Sequence, residues 1–147
     1  MIRGLFEAHL PVLDLQRSID FYTGVLGLTL GTTDETRRIA FCFAGGWNHT
    51  MVGLWERPPG SIHPQHVAFE IDLGDLDRAV TDLKTNGLQP LNFHGQPTDI
   101  PTVLAWMPSV SIYFRDLDGH LLEYLAKLPG APQPERGIVP WNEWHVA

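Results

Sequence analysis

One pattern occurs twice in this chain: a strand, a helix, then three strands. Whatever fold the chain adopts must hold two similar units, each able to bury one face of a sheet under one helix. The first copy covers about residues 4 to 57. Its opening strand is expected near Phe6 to Val12, and Asp14 is placed to cap a helix whose face carries Leu15, Ile19, Tyr22 and Leu26. Gly27 supplies the left-handed stop, and strands follow near 28 to 33, 37 to 44 and 50 to 56. The second copy, about 62 to 128, opens with a strand from His66 to Ile71. A helix follows with Leu76, Val80 and Leu83 on one face, closed by Asn86-Gly87. A strand is predicted near 89 to 94, then an irregular stretch with Pro97, Pro101 and Pro108, then a hairpin turning at Asp118-Gly119. Pro58-Pro59-Gly60 links the copies. The segment 129 to 147 reads as a packed strap, because Trp141 and Trp144 need cover.

Alternation within the strands separates two faces. In SIYFR, Ile112 and Phe114 point one way while Ser111, Tyr113 and Arg115 point the other, and in RIAFCF the trio Ile39, Phe41 and Phe43 likewise shares a face. One sheet face is expected under helices. The other carries Ser111, Tyr113, His9 with Glu7, and His66 with Glu70, a polar lining suited to a cavity.

Within that lining, Glu123 makes the sharpest demand. It sits among Leu121, Leu122, Tyr124 and Leu125 on a strand that reads as buried, and an ionised carboxylate there needs a cation or a hydrogen-bond donor. Arg115 is one candidate partner. The others are His9 and His66, each of which opens a strand at a matching place in the two copies. Either histidine alone reads as a hydrogen-bonded strand residue; with Glu123 they form a possible ligand set. The run Asp116-Leu117-Asp118-Gly119 does not continue as a calcium loop, since the twelfth position is Lys127 rather than glutamate. It reads as a turn, with His120 expected at the surface. His49, His63, His94 and His145 show no paired spacing.

Composition narrows the functional classes. A chain of 147 residues with 44% hydrophobic content suits one domain, or two small modules sharing a core. A net charge of -7 offers no field for nucleic acid or anionic membranes. No run approaches the ~20 apolar residues of a membrane span, and Glu7 and His9 interrupt any signal-peptide core, so a soluble cytoplasmic protein is expected. Cys42, in IAFCFA, reads as a small buried apolar residue without chemistry.

The segments HLPVLDLQRSIDFYTGVLGLTL and YFRDLDGHLLEYL resemble the vicinal oxygen chelate superfamily, which includes glyoxalase I, extradiol dioxygenases, bleomycin-binding proteins and fosfomycin-resistance thiol transferases. The resemblance covers roughly residues 4 to 127. It implies an α+β fold of two tandem βαβββ modules in a single domain, 1 to 147, with module one at about 4 to 57, module two at about 62 to 128 and the strap at 129 to 147. It also implies one divalent ion per site, Fe(II), Mn(II), Zn(II) or Ni(II), held by His9, His66 and Glu123. The fourth place is filled by Gly53, where glyoxalase I has glutamate. Tyr113 matches a site tyrosine of the dioxygenases and transferases, and Pro11 stands where those transferases carry threonine. Met51, Trp55, Ser111 and Trp106 are the expected substrate pocket.

The activities implied are a dioxygenase or a glyoxalase-like lyase acting on a small molecule chelated through adjacent oxygens. The alternatives are a non-catalytic bleomycin-type binding protein and a fosfomycin-type thiol transferase. A homodimer is expected, with His9 of one chain joining His66 and Glu123 of another as one way to complete the site.

Overall fold

Asp14 starts the first helix by the device its position suggests: its carboxylate accepts from the backbone N–H of Arg17 at 2.9 Å, satisfying one donor that the helix itself leaves unpaired. In the computed structural model, which describes residues 1–144, this helix belongs to the first of two compact units. That unit comprises residues 1–65 together with 116–120, and the second comprises 66–115 with the chain from 121 onward.

The first unit runs β1 (Glu7–Val12), α1 (Leu15–Asp20), β2 (Thr29–Asp34), β3 (Ile39–Ala44) and β4 (Thr50–Glu56). Its sheet has the order β1-β4-β3-β2, with β1 parallel to β4 and the other pairs antiparallel. After Asp20 the helix widens into a single π turn, Phe21–Val25, and Gly27 ends it at φ 74°. Beneath α1, which packs on β3 and β4, lie Leu10, Val12, Ala40, Cys42, Val52 and Leu54. Burial pushes the Cys42 thiol up to about 11, which favours its protonated form.

Register decides which way the two sets of β3 residues face. Ile39, Phe41 and Phe43 lie opposite Trp55, Gly53 and Met51, on the side of His9, while the smaller Ala40 and Cys42 turn toward the helix. Close approach of a helix to a sheet favours the small residues, and the aromatic pair is left for the open face.

The short segment 116–120 ties this unit together. Asp116 accepts from the N–H groups of Asp118 and His120, and its second oxygen accepts from the Tyr22 hydroxyl at 2.8 Å. Burial and the Asp116 charge hold the Tyr22 phenol in its protonated, donating form. Asp118 pairs with Arg17 and accepts from the Leu13 N–H. His120, expected at the surface, is fully buried: Nδ1 accepts from Gln65 N–H at 2.9 Å, and Nε2 donates to the Pro11 carbonyl. The turn at Gly119 stands, at φ 87°, while its side chains act as an internal clamp. Replacing Asp116 by alanine strands three donors and is expected to lower the unfolding free energy by about 3–5 kcal/mol, against about 1 kcal/mol for Tyr22→Phe. Urea unfolding of the two variants measures the difference.

The second unit contains β5 (His66–Glu70), α2 (Leu76–Thr85), β6 (Thr102–Leu104), β7 (Ser109–Arg115), β8 (Leu121–Lys127) and β9 (Ile138–Pro140). Their order is β5-β8-β7-β6-β9, with β5 parallel to β8. Asn86 and Gly87 close α2 as expected. The strand predicted near 89 to 94 does not form. Pro90 has no N–H, and Asn92 bends the chain by accepting from the N–H groups of His94 and Gln96. Leu91 alone bridges to Tyr113, and the strand beside β7 comes later, at β6.

The core of this unit joins Leu76, Val103, Val110, Ala126 and Leu128 to Trp144, which is 8% exposed and stacked under Arg136 at 3.7 Å. The chain beyond β8 is thus anchored by Trp144, with Val139 and Trp141 packed beside it, and it adds β9 to the sheet. His145 lies outside the described residues. Among those described, no helix is long and apolar enough to cross a membrane.

Candidate functional site

Register brings Glu123, Tyr113 and His66 to one face of the second sheet. On β8, Glu123 stands opposite Tyr113 of β7, and His66 opens β5 beside Leu121. Glu123 is 4% exposed, and one carboxylate oxygen, Oε2, lies 3.0 Å from His66 Nε2. The other ring nitrogen of His66, Nδ1, is 3.1 Å from the Leu121 carbonyl oxygen. Since a carbonyl only accepts, Nδ1 carries the hydrogen, and Nε2 meets the carboxylate oxygen either as the N–H of an imidazolium or as a lone pair with a cation shared between them. Either way the pair calls for a positive charge. Glu123 Oε1 adds to the demand, being buried with no hydrogen-bond partner.

Tyr113 is 5% exposed, with its ring 6.2 Å from that of His66. Its phenol is raised above the ordinary tyrosine range, chiefly by burial and then by the Glu123 charge, so it remains a donor. Ser111, two residues back on the same face, is fully buried with an unpartnered hydroxyl. Trp106 sits in the turn between β6 and β7 and is largely exposed.

His9 stands on the first sheet. Its Nε2 pairs with Glu7, and its ring meets Phe41 at 6.0 Å and Trp55 at 5.5 Å, both edge-on. It lies over Gly53, where a Cβ would come within 2.8 Å of the imidazole Cδ2. Glycine at this position is therefore what lets the ring approach the strand this closely. Met51 and Trp55 flank it on β4, both half-buried, and Phe43 and Trp47 extend the aromatic surface at 4.8 Å from each other. Phe41, Phe43 and Trp47 were not among the expected pocket residues. Strand alternation grouped the first two without indicating which way they faced.

Among the described residues, no group of three His, Cys, Asp or Glu side chains gathers closely enough to hold a metal. The second unit offers two donors, His66 and Glu123, and the first offers His9 with Glu7. The donor types suit a divalent ion, with imidazole nitrogen and carboxylate oxygen together, and the unpartnered Oε1 is the atom such an ion would satisfy.

Known proteins resemble this chain over most of its length. The family model for the Glyoxalase/Bleomycin resistance protein/Dioxygenase superfamily matches residues 4–124. The metallothiol transferase FosB of Staphylococcus epidermidis is 36% identical over 117 residues, covering 76% of this chain and 73% of the relative. Among solved structures, an integron cassette protein from the mobile metagenome of Halifax Harbour Sewage Outfall superposes with a TM-score of 0.71 at 32% identity, covering 85% of this chain and 99% of that one. The fosfomycin resistance protein FosX from Mesorhizobium loti gives 0.62 at 26% identity, over 87% and 95%. The paired modules, the facing histidine and glutamate and the match over most of the sequence together make this chain a member of the Glyoxalase/Bleomycin resistance protein/Dioxygenase superfamily, the vicinal oxygen chelate proteins.

Proposed function

We propose that this protein is a divalent-metal-dependent enzyme acting on a small organic substrate that it binds through two adjacent oxygens, as a dioxygenase or a glyoxalase-like lyase. The observation that carries the reading is the His66–Glu123 pair, 3.0 Å apart with a buried carboxylate oxygen left over. His66 and Glu123 hold the ion, and His9 completes the set, supplied by the same chain or by a second copy in a homodimer. The ion supplies Lewis acidity toward the chelated oxygens and, where it is redox-active, a centre for dioxygen.

The remaining chemistry belongs to the chain. Leu121 fixes the His66 ring through Nδ1–H, so Nε2 stays available as a donor. Tyr113 is a neutral phenol beside Glu123, placed to donate a hydrogen bond to a substrate oxygen or pass it a proton. Ser111 offers a second hydroxyl, and Met51 and Trp55 present an apolar wall that excludes water. Tyr113→Phe is expected to lower kcat roughly 10- to 100-fold, the worth of one hydrogen bond to a charged group, with metal affinity unchanged. Steady-state kinetics beside a metal titration reads both.

A second reading, addition of a thiol to an epoxide, is favoured by the 36% identity to a protein named as a metallothiol transferase. Pro11, in place of the threonine those enzymes carry, weighs against it. A third, sequestration without catalysis, draws on the acidic net charge. The deciding experiment measures the metal content of freshly purified protein and of His66→Ala. It then screens a catechol against fosfomycin with glutathione or cysteine. Metal lost with His66 and turnover of either compound supports an enzyme. A metal-free protein that still binds cationic ligands tightly supports sequestration and sinks the proposal.

A further inference from the structure

Beyond the ligand set, the first sheet carries a cation that nothing in the fold consumes. The residues Gly53, Trp55 and Arg57 alternate onto the same side at the end of β4, the side occupied by His9. The Arg57 guanidinium lies over the Trp55 ring, its carbon 4.0 Å from the ring centroid. Trp55 in turn meets the His9 ring edge-on at 5.5 Å, so the cation lies no farther from the imidazole than those two spans laid end to end. Its backbone is pinned, since Arg57 N–H donates to the Val12 carbonyl at 2.8 Å.

The neighbouring acids are already committed. Glu56, adjacent in sequence, accepts from two guanidinium nitrogens of Arg38 and from the Leu15 N–H, and this holds its carboxyl below the usual range. Glu7 is engaged with His9, and Arg37, the other guanidinium near Trp55, is tied to Asp34. Among the described residues no carboxylate pairs with Arg57. In a chain of net charge -7, a half-buried guanidinium left without an acid beside a candidate site is an unspent recognition element.

The chemistry of the stacked arrangement specifies the ligand. A guanidinium held over an indole ring still has its N–H donors available as a planar fork. That fork matches an oxyanion with two oxygens, a carboxylate or a phosphonate, better than a hydroxyl or an amide.

We infer that Arg57 reads an acidic group on the substrate, so that the preferred substrates of this site carry a carboxylate or phosphonate in addition to the oxygens that would chelate the metal. This rests on the proposed function for its location beside His9, though Arg57 itself does not touch the ion. Arg57 is a specificity residue, expected to act on binding rather than on kcat.

Two matched pairs of probes test it by calorimetry: 2,3-dihydroxybenzoate against catechol for a carboxylate, and fosfomycin against propylene oxide for a phosphonate. In the wild-type protein, the acidic member of at least one pair is expected to bind about 10- to 100-fold more tightly than its neutral counterpart, and Arg57→Gln is expected to erase that advantage. The pair that shows the effect identifies the oxyanion. The comparison is made without added metal, since Mn(II) itself binds a carboxylate or a phosphonate. Dependence of binding on Mn(II) and on Glu123 tests the metal reading separately, so either idea can fail alone. Equal affinity within both pairs, an advantage that survives Arg57→Gln, or no binding of any probe overturns the assignment. Retained thermal stability of Arg57→Gln confirms that the comparison is made on folded protein.

Discussion

Exchanging Glu123 for glutamine is expected to weaken divalent-metal binding roughly 1,000-fold, the equivalent of about 4 kcal/mol for removing one partner from a buried charged set. In the metal-free protein the same exchange should cost little. Glutamine has nearly the shape of glutamate, and its amide, with one donor and one acceptor end, can pair with His66 Nε2, 3.0 Å from the present carboxylate oxygen, in either protonation state of the ring. It also removes the charge from a side chain that is 4% exposed and whose Oε1 has no partner. The two states are therefore expected to part in thermal unfolding. The wild-type protein should gain stability with Mn(II) or Fe(II), by about 2.7 kcal/mol at a metal concentration 100 times its dissociation constant. The variant should show none of that gain while unfolding at nearly the wild-type temperature without metal. A wild-type-sized metal response in Glu123→Gln would remove Glu123 from the ligand set.

Gly53 yields the second large effect, and its direction runs against a simple analogy. Glyoxalase I carries glutamate at this place, which suggests that Gly53→Glu would add a fourth ligand. The local packing argues otherwise, because a Cβ at 53 would lie 2.8 Å from His9 Cδ2 and 3.0 Å from Nε2. Those atoms belong to a side chain half open to solvent, so the strain is relieved by swinging the imidazole away rather than by distorting the sheet. Gly53→Ala is thus expected to leave folding stability within about 1 kcal/mol of wild type. Metal affinity, by contrast, should fall about 100-fold, at the upper end of what displacing a group that orients a metal ligand costs. Gly53→Glu should lose at least as much. Calorimetric titration of both variants decides the matter: tighter metal binding by Gly53→Glu would mean that the ring finds another productive position.

Much of this site was legible in the strands themselves. Alternation put Tyr113 on the open face of β7, the apolar setting of Glu123 demanded a partner, and repetition matched His66 to His9. The rest depended on long-range partners, which leave no local trace. His120 reads as an exposed turn residue, and only the backbone of Gln65 and the carbonyl of Pro11 explain its burial. Alternation likewise separates Ile39, Phe41 and Phe43 from Ala40 and Cys42 without revealing which set faces inward. A strand as short as β6, three residues all buried, has no period to detect, whereas the apolar run near 89 to 94 suggested a strand that Pro90 and the Asn92 turn prevent. Arg57 escaped notice because a single arginine after a strand is ordinary in sequence, and only its place over Trp55 sets it apart.

The docking of β9 on β6 has a consequence for how copies of this protein behave in a crowded solution. A sheet margin with free N–H and C=O groups is a template on which any passing extended segment can grow. By laying Ile138–Pro140 along β6, the chain moves that margin outward to a stretch of three residues whose last member, Pro140, has no N–H to offer. The tail thus finishes the sheet with a blunt, proline-stopped hem, and discourages the runaway stacking that an open β6 would invite.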